Sequence, residues 1–498
     1  MIRAVFLLLL LVVVSAFVIG KEEKETPNEA KDVLLQQIKE NESEITPYKI
    51  IWKSKLWSTT SESAIESRDF VIGLAQQKVD ICTSSVFDQK NPTFRESTHF
   101  PEYSLLLEIM CPRSVQDLFN DSVVEIPTDS NLQSLLASMR QKYHLDEREH
   151  ASTQYTIEVQ NVERIRDLQP KSMQADYLIV RLSFAADQIE RNDLKFLQNV
   201  SPDEIWVSSS EMKSSLLRDN VLDKHSIHMF VSPINVNKWT YYENDYISFP
   251  EDATFEEKQA IYQDWFRDLP THELNRYSWK FLEVIDFSLP LWYEPISKFL
   301  ELQTLPEHGA AYVVLFAPYQ DFSLEQHQRQ LYNQVGHLLH PDIEIPHGSI
   351  LPRHILSFRM QDLSEQELRE VFRSSHAFVQ GTPTGNALHL LRAMLTELPV
   401  IATRWGSHSP VYSDSTGYPV AYNIVNDENT LSPTKLIKPA FQTLQLHMVK
   451  AMNPKSTDDL RLHGLVGKSQ AERFVNVSKV SNQVKQRFNE IYQMNNNN

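Results

Sequence analysis

The sequence predicts an α/β protein made of two successive layered domains, and three observations predict it. Short apolar runs of strand length alternate with helix-period segments along most of the chain, the pattern of strands covered by helices. The alternation breaks once, in a polar and aromatic stretch at 239–278, and then resumes. The length of 498 residues allows two or three domains, each with a core of its own.

The elements follow in order. Met1-Ile2-Arg3 precedes an apolar run from Ala4 to Ile19, so residues 1–20 are a secretory signal peptide or a short membrane anchor. Val18 and Gly20 fit the small-residue pattern of a cleavage site. Residues 21–46, rich in Lys, Glu and Asn, read as a stem. An N-terminal domain over 47–238 carries strand candidates at Lys49–Trp52, Tyr177–Val180, Glu204–Val207 and Ile227–Val231. The connector over 239–278 holds one helix, opened by the capping box of Thr254 and Glu257, with Ile261 and Trp265 on one face. A C-terminal domain over 279–463 carries strand candidates at Lys280–Ile285, Tyr312–Phe316, Ile355–Phe358, Ala377–Val379 and Pro399–Ala402. Its second capping box, Ser364 and Glu367, opens a helix with Leu368, Val371 and Phe372 turned inward. A closing helix over 464–494 places Phe474, Val477, Val480, Val484 and Phe488 on one face.

Composition bounds the function. Apolar residues make up 41% and charged residues 23%, which excludes wholesale disorder, collagen and a polytopic membrane protein. Against 65 acidic residues stand 48 basic ones, a net charge of −17, so no basic excess exists for nucleic acid. The apolar leader points to the lumen of the secretory pathway (ER or Golgi), to secretion, or to a single-pass type II membrane protein; membrane contact is then confined to an uncleaved leader. Sequons at Asn41, Asn120, Asn199 and Asn476 agree with that compartment. Cys82 and Cys111, the only cysteines, either pair across a loop of about 30 residues, worth roughly 3 kcal/mol, or remain buried thiols. No D-x-D pair, zinc motif or P-loop occurs, and no metal or other cofactor is expected.

Four segments, Ile51–Leu74, Asp203–Val236, Phe281–Val284 and 377–406, stand in an order that resembles the family-4 glycosyltransferases. Ile51–Trp57 followed by Glu66–Leu74 is similar to their first strand, loop and helix. Asp203–Ser209 stands where they carry a "DEIWVPS"-like run, and Ser232–Val236 resembles their "PEPVD"-like segment. Phe281–Val284 looks like their "FLSV" strand. Most specific is 377–406, where Arg392-Ala393-Met394, Leu398–Thr403 and Trp405 match a run like "EAMAMGLPVIATNWSG". The resemblance implies a GT-B fold: two Rossmann-like α/β domains facing a central cleft, with a C-terminal helix packing back on the N-terminal domain. It also implies retaining transfer of a sugar from a nucleotide-sugar donor to a glycan or protein acceptor, without a metal.

The positions that serve this chemistry in the family are altered here. Its paired glutamates fall on Thr384 and Arg392, and its two basic residues fall near Asp286 and Leu291. A carboxylate ~5 Å from a phosphate charge costs roughly 3 kcal/mol at an effective dielectric of about 20. The first loop, glycine-rich in many relatives, reads Ser58–Ser63 with Glu62 inside it. Glycine is scarce throughout, 11 residues where about 7% is usual. What remains as a candidate donor site is Thr384, Gly385 and Asn386 at a helix start, with Arg392 and Arg404 as a new clamp and His389 and His408 nearby. Two functional classes therefore stand: a divergent transferase, or a catalytically inactive binding or scaffolding partner with protein partners.

Overall fold

The computed structural model describes residues 46–54, 62–84, 155–162, 165–184, 189–218, 226–240, 279–285, 291–302, 309–316, 354–359, 365–426 and 435–496, with a few isolated positions besides. Within Pro47–Asn498, β-branched and aromatic runs build two six-stranded parallel sheets. The first contains β1 (Tyr48–Lys53), β2 (Asp80–Ser84), β3 (Tyr155–Val162), β4 (Tyr177–Leu182), β5 (Glu204–Val207) and β6 (Ile227–Met229), in the order β2-β1-β3-β4-β5-β6. The second contains β7 (Trp279–Ile285), β8 (Ala310–Phe316), β9 (His354–Arg359), β10 (Ala377–Gln380), β11 (Val400–Thr403) and β12 (Gly417–Val420), in the order β12-β11-β10-β7-β8-β9. Each sheet reverses its winding once, between β1 and β3 and between β7 and β10. In open parallel sheets such a reversal leaves a crevice at the carboxyl ends of the strands, where ligands bind. An antiparallel hairpin, β13 (Tyr422–Asn426) with β14 (Lys435–Pro439), follows the second sheet.

The described helices are α1 (Glu62–Gln76), α2 (Arg191–Val200), α3 (Ser210–Arg218), α4 (Val236–Trp239), α5 (Glu294–Leu300), α6 (Glu365–Arg373), α7 (Leu388–Leu395), α8 (Phe441–Ala451), α9 (Thr457–Val475) and α10 (Val477–Asn496). Leu368, Val371 and Phe372 of α6 are fully buried, as their spacing predicts. The helix expected around Ile261 and Trp265, and Ser364 of the second capping box, lie outside the described residues.

Instead of one closing helix over 464–494 there are two, α9 and α10, and the joint has a physical cause. The chain changes hosts at Asn476. Along α9, Gly464 lies so close to the backbone of Glu397 that a Cβ there would meet the Glu397 carbonyl, and Ala471 and Val475 join the core of the second domain. Along α10, Val480, Val484, Phe488 and Ile491 pack with Tyr48, Trp52, Phe70 and Trp206 of the first domain. Asn476 sits between at φ −52°, ψ 120°, and its Oδ1 accepts from the amides of Ser478 (3.1 Å) and Lys479 (3.3 Å), capping α10. A Cβ on Gly73 would stand 2.7 Å from Val477 Cγ2, so glycine is what lets α1 and α10 cross closely.

Candidate functional site

Helix α1 lies with Ser63–Val71 entirely buried, because it is enclosed by the first sheet, by α10 and by the second domain. Such a helix cannot carry charges unless they are paired. Glu66, fully buried, is paired in full. Its Oε1 accepts from Arg181 Nη2 (2.5 Å) and Ser232 Oγ (2.5 Å), and its Oε2 from Asn161 Nδ2 (2.9 Å). Arg181 in turn donates to the Phe230 carbonyl at 2.6 Å. A fourth donor to Glu66 comes from the other domain: Asn386 Nδ2, at 3.3 Å.

On the second domain, β10 runs into the turn 381–387 and then into α7. Thr384 Oγ1 accepts from Gln380 Nε2 (2.6 Å) and from the Ala387 amide (3.1 Å), which holds the turn in shape. Ala387 takes a left-handed conformation, φ 51°, and directs the first amide of α7 away from its own turn. That amide, Leu388 N, donates to Glu62 Oε1 at 2.8 Å. A carboxylate of the first domain thus occupies the helix N-terminus where an anionic ligand group would be held.

Further contacts close the seam around this pair. Ser208 Oγ donates to the Gly385 carbonyl (3.1 Å), and Ser409 Oγ to Glu211 Oε1 (2.8 Å). A Cβ on Gly385 would stand 2.7 Å from Phe184 N and 2.9 Å from Phe184 O, so the two backbones touch directly. Trp405 and Ile437, from the second domain, are buried in the apolar core formed by Val162, Leu178, Ile205, Val207 and Leu216 of the first.

Of the three consecutive residues Thr384, Gly385 and Asn386, Thr384 bonds within its own turn, while Gly385 and Asn386 face the first domain. Arg392 and Arg404 do not form a common clamp. Arg392 is fully buried, with its guanidinium 4.3 Å from the centroid of the Trp239 ring, because α7 is covered on every side. Arg404 is exposed, and its backbone amide donates to the Val420 carbonyl at 3.4 Å. His408 is fully buried with Nε2 2.9 Å from the Thr403 carbonyl, and burial pushes its pKa down to about 4. His389 is buried as well. Leu291, at φ 61°, only leads into α5, and Asp286 lies outside the described residues. Of the sequons, Asn199 is exposed at the end of α2 and Asn476 is half-buried, while Asn41 and Asn120 lie outside the described residues. Cys82 is disulfide-bonded; Cys111 lies outside the described residues.

Sequence reasoning missed Glu66, Arg181, Asn161 and Glu283. Glu283, on β7 beside the second reversal, is buried; its carboxyl accepts from Tyr312 OH (2.7 Å) and the Gly381 amide (3.3 Å), and burial raises its pKa to about 8. The signal available was a charged residue inside an apolar strand, Lys280–Ile285. Among the described residues, no group of three or more His, Cys, Asp or Glu is placed to hold a metal ion, and no helix is long and apolar enough to cross a membrane.

No protein-family model and no curated protein matches the chain. Solved structures do. Sucrose-phosphate synthase (tll1590) from Thermosynechococcus elongatus superposes with a TM-score of 0.52 at 12% identity, over 90% of this chain and 100% of that one. Anabaena Alr3699/HepE in complex with UDP-glucose gives 0.51 at 10% identity, over 89% and 99%. An alpha,alpha-trehalose-phosphate synthase (UDP-forming) from Burkholderia vietnamiensis gives 0.50 at 10%, over 90% and 99%. At such identities the likeness concerns the fold. This chain has the GT-B architecture: two Rossmann-like α/β domains around a central cleft, with the C-terminal helix packed back on the first domain.

Proposed function

We propose that this chain is a glycosyltransferase-like protein of the secretory pathway whose nucleotide-sugar seat is filled by its own residues, and that it works as a non-catalytic binding or scaffolding partner. One observation carries the reading: the Glu62 carboxylate on the Leu388 amide. A donor diphosphate needs that helix N-terminus, and it would meet a fixed negative charge there. Arg392, the one cation at a former donor-binding position, is committed to Trp239. Similar folds bound to UDP or UDP-glucose make a nucleotide sugar the ligand to test.

A second reading, a working transferase that opens before it binds donor, is favoured by one feature. The turn 384–387 still presents a helix amide to an anion, although that anion is internal. Calorimetric titration of the full-length protein with UDP, GDP and their sugars separates the two. Under the first reading, folded protein shows no heat of binding at millimolar nucleotide. Micromolar binding overturns it and makes acceptor screening the next step.

A further inference from the structure

Strand β12 forms one edge of the second sheet, and its Tyr418 is the centre of a cluster drawn from three elements. Tyr418 is 2% exposed. From α8, the His447 ring stands 5.4 Å from the Tyr418 ring, and Lys450 Nζ stands 4.9 Å from its centroid. From α9, the His463 ring meets it edge-on at 5.0 Å. Leu460, three residues earlier on α9, is buried in the same core as Tyr418 and Met448. None of these residues takes part in the Glu62–Leu388 contact or in the Glu66 network.

The cluster accommodates neutral imidazoles and is hostile to charged ones. An imidazolium carries two N–H donors. His463 Nδ1 is buried without a hydrogen-bond partner among the described residues, as is the Tyr418 hydroxyl. In the charged ring, the N–H at that nitrogen would be an unsatisfied donor. His447 Nε2 lies 3.1 Å from the Pro419 carbonyl, so the neutral ring already donates there. Lys450 adds a positive charge of its own. Two carboxylates oppose it: Asp414, from the turn before β12, and Asp459, one helical turn before His463. Both are exposed, where solvent screens them. Burial outweighs them and holds both imidazoles below the ordinary 6.5, and Lys450 acts in the same direction. Tyr418 itself is raised by burial and stays neutral.

The place of the cluster gives it a mechanical consequence. His463 lies in the first half of α9, where Gly464 sits against the Glu397 backbone and Gly467 near Met394 of α7. The second half is held separately, by Ala471 and Val475 in the other core of the domain. We propose that the Tyr418 cluster is a pH-sensitive latch, which clamps the first half of α9 to β12 and α8 while both imidazoles are neutral and releases it when they take up protons. Release uncovers the flank of α7 against which α9 packs. The sign follows from linkage. The released state has ordinary histidines and binds more protons, so closure is complete above 6.5 and weakens as pH falls below it. The latch works the same way whether or not the nucleotide seat is closed, so the two ideas fail separately.

The test is hydrogen exchange read by mass spectrometry on the full-length protein, corrected for the intrinsic rate at each pH. The two conditions are about pH 7.5 and about pH 5.5, one unit either side of the ordinary histidine value. At the lower pH, amides of residues 457–467 should lose protection by about tenfold, the scale of one to two histidine protons, while those of β7 and β8 keep theirs. Replacing both histidines, His447→Gln with His463→Gln, should abolish the loss. Lys450→Met, at an exposed position, removes the neighbouring charge and should move the midpoint of the loss to higher pH. Histidine NMR titrations of wild type and Lys450→Met give a readout that does not need the double variant: the His447 and His463 midpoints should lie below 6.5 and rise with the substitution. Equal changes of protection in 457–467 and in the sheet overturn the proposal. So does a loss that persists in the double variant, or midpoints of both histidines at or above 6.5.

Discussion

Replacing Glu62 by alanine tests the closed seam most directly. The substitution removes the acceptor of the Leu388 amide and leaves the first turn of α7 without its negative partner. A hydrogen bond to a charged group contributes about 1.5–3 kcal/mol, and a carboxylate at a helix N-terminus about 0.3–1 kcal/mol. Glu62 is only half-buried, so solvent screening reduces both, and a loss of about 1–2 kcal/mol is expected. Glu62→Gln keeps an acceptor and removes the charge, and should lose less than half of that. The assay is urea unfolding of wild type and both variants, repeated with inorganic phosphate. Phosphate should stabilise Glu62→Ala by filling the vacated helix terminus, with a midpoint that rises as the logarithm of concentration, and should leave wild type unchanged. The reasoning is refuted if Glu62→Ala unfolds at the wild-type midpoint, or if phosphate shifts wild type and variant equally.

Three other expectations follow from the same contacts. Gly385→Ala places a methyl group against the Phe184 backbone, which cannot move aside as a side chain can; the cost should be about 1–3 kcal/mol, read from denaturant midpoints. Trp405→Ala empties a buried site in the core of the opposite domain and should cost about 3–5 kcal/mol, seen as a drop in thermal midpoint. Glu283 has a folded pKa near 8 against an ordinary 4.5. The native state therefore holds a proton that the unfolded chain releases above pH 4.5, and its contribution to stability falls as pH rises from 4.5 to 8, by up to about 1.4 kcal/mol per pH unit. Glu283→Gln should flatten that fall, and a pH series of unfolding midpoints in which variant and wild type keep parallel slopes would contradict it.

Much of the fold could be read from the sequence because strands buried on both faces are written as continuous apolar runs. Tyr177–Val180, Glu204–Val207 and Tyr312–Phe316 were recognisable in that way, and each lies in a parallel strand. Strand β3 was not, although it lies next to the first reversal. Its residues Glu158, Gln160 and Asn161 are buried, but they interrupt the apolar pattern that marks a strand. Two of them find partners far away in sequence, Lys53 for Glu158 and Glu66 for Asn161, while Gln160 bonds nearer ones, Glu158 and the backbone of Gln169. The candidate site was half legible for the same reason. The resemblance to the family motif located the turn 384–386, but nothing local indicates that Glu62 would accept from the amide of Leu388, 326 residues later. Arg392 was misjudged because a cation at a helix edge normally faces water; here a tryptophan face replaces the solvent.

The exchange of hosts at Asn476 has a consequence for synthesis. Tyr48, at the start of the first strand, donates to Asn489 Oδ1 at 2.7 Å across 441 positions of sequence. Trp206 and Tyr48 have Phe488 as an aromatic neighbour, at 5.3 and 6.1 Å between centroids. While the ribosome is still translating the second domain, the first sheet therefore lacks the helix that covers one of its faces. Strand β1 waits for α10, which follows the whole second domain, and a chain lacking that helix shows Trp206 and its neighbours to the solvent. A nascent chain stopped before Val477 would be a natural client for chaperones. Completion of the first domain is coupled to the arrival of α10, so that the two halves mature as one event.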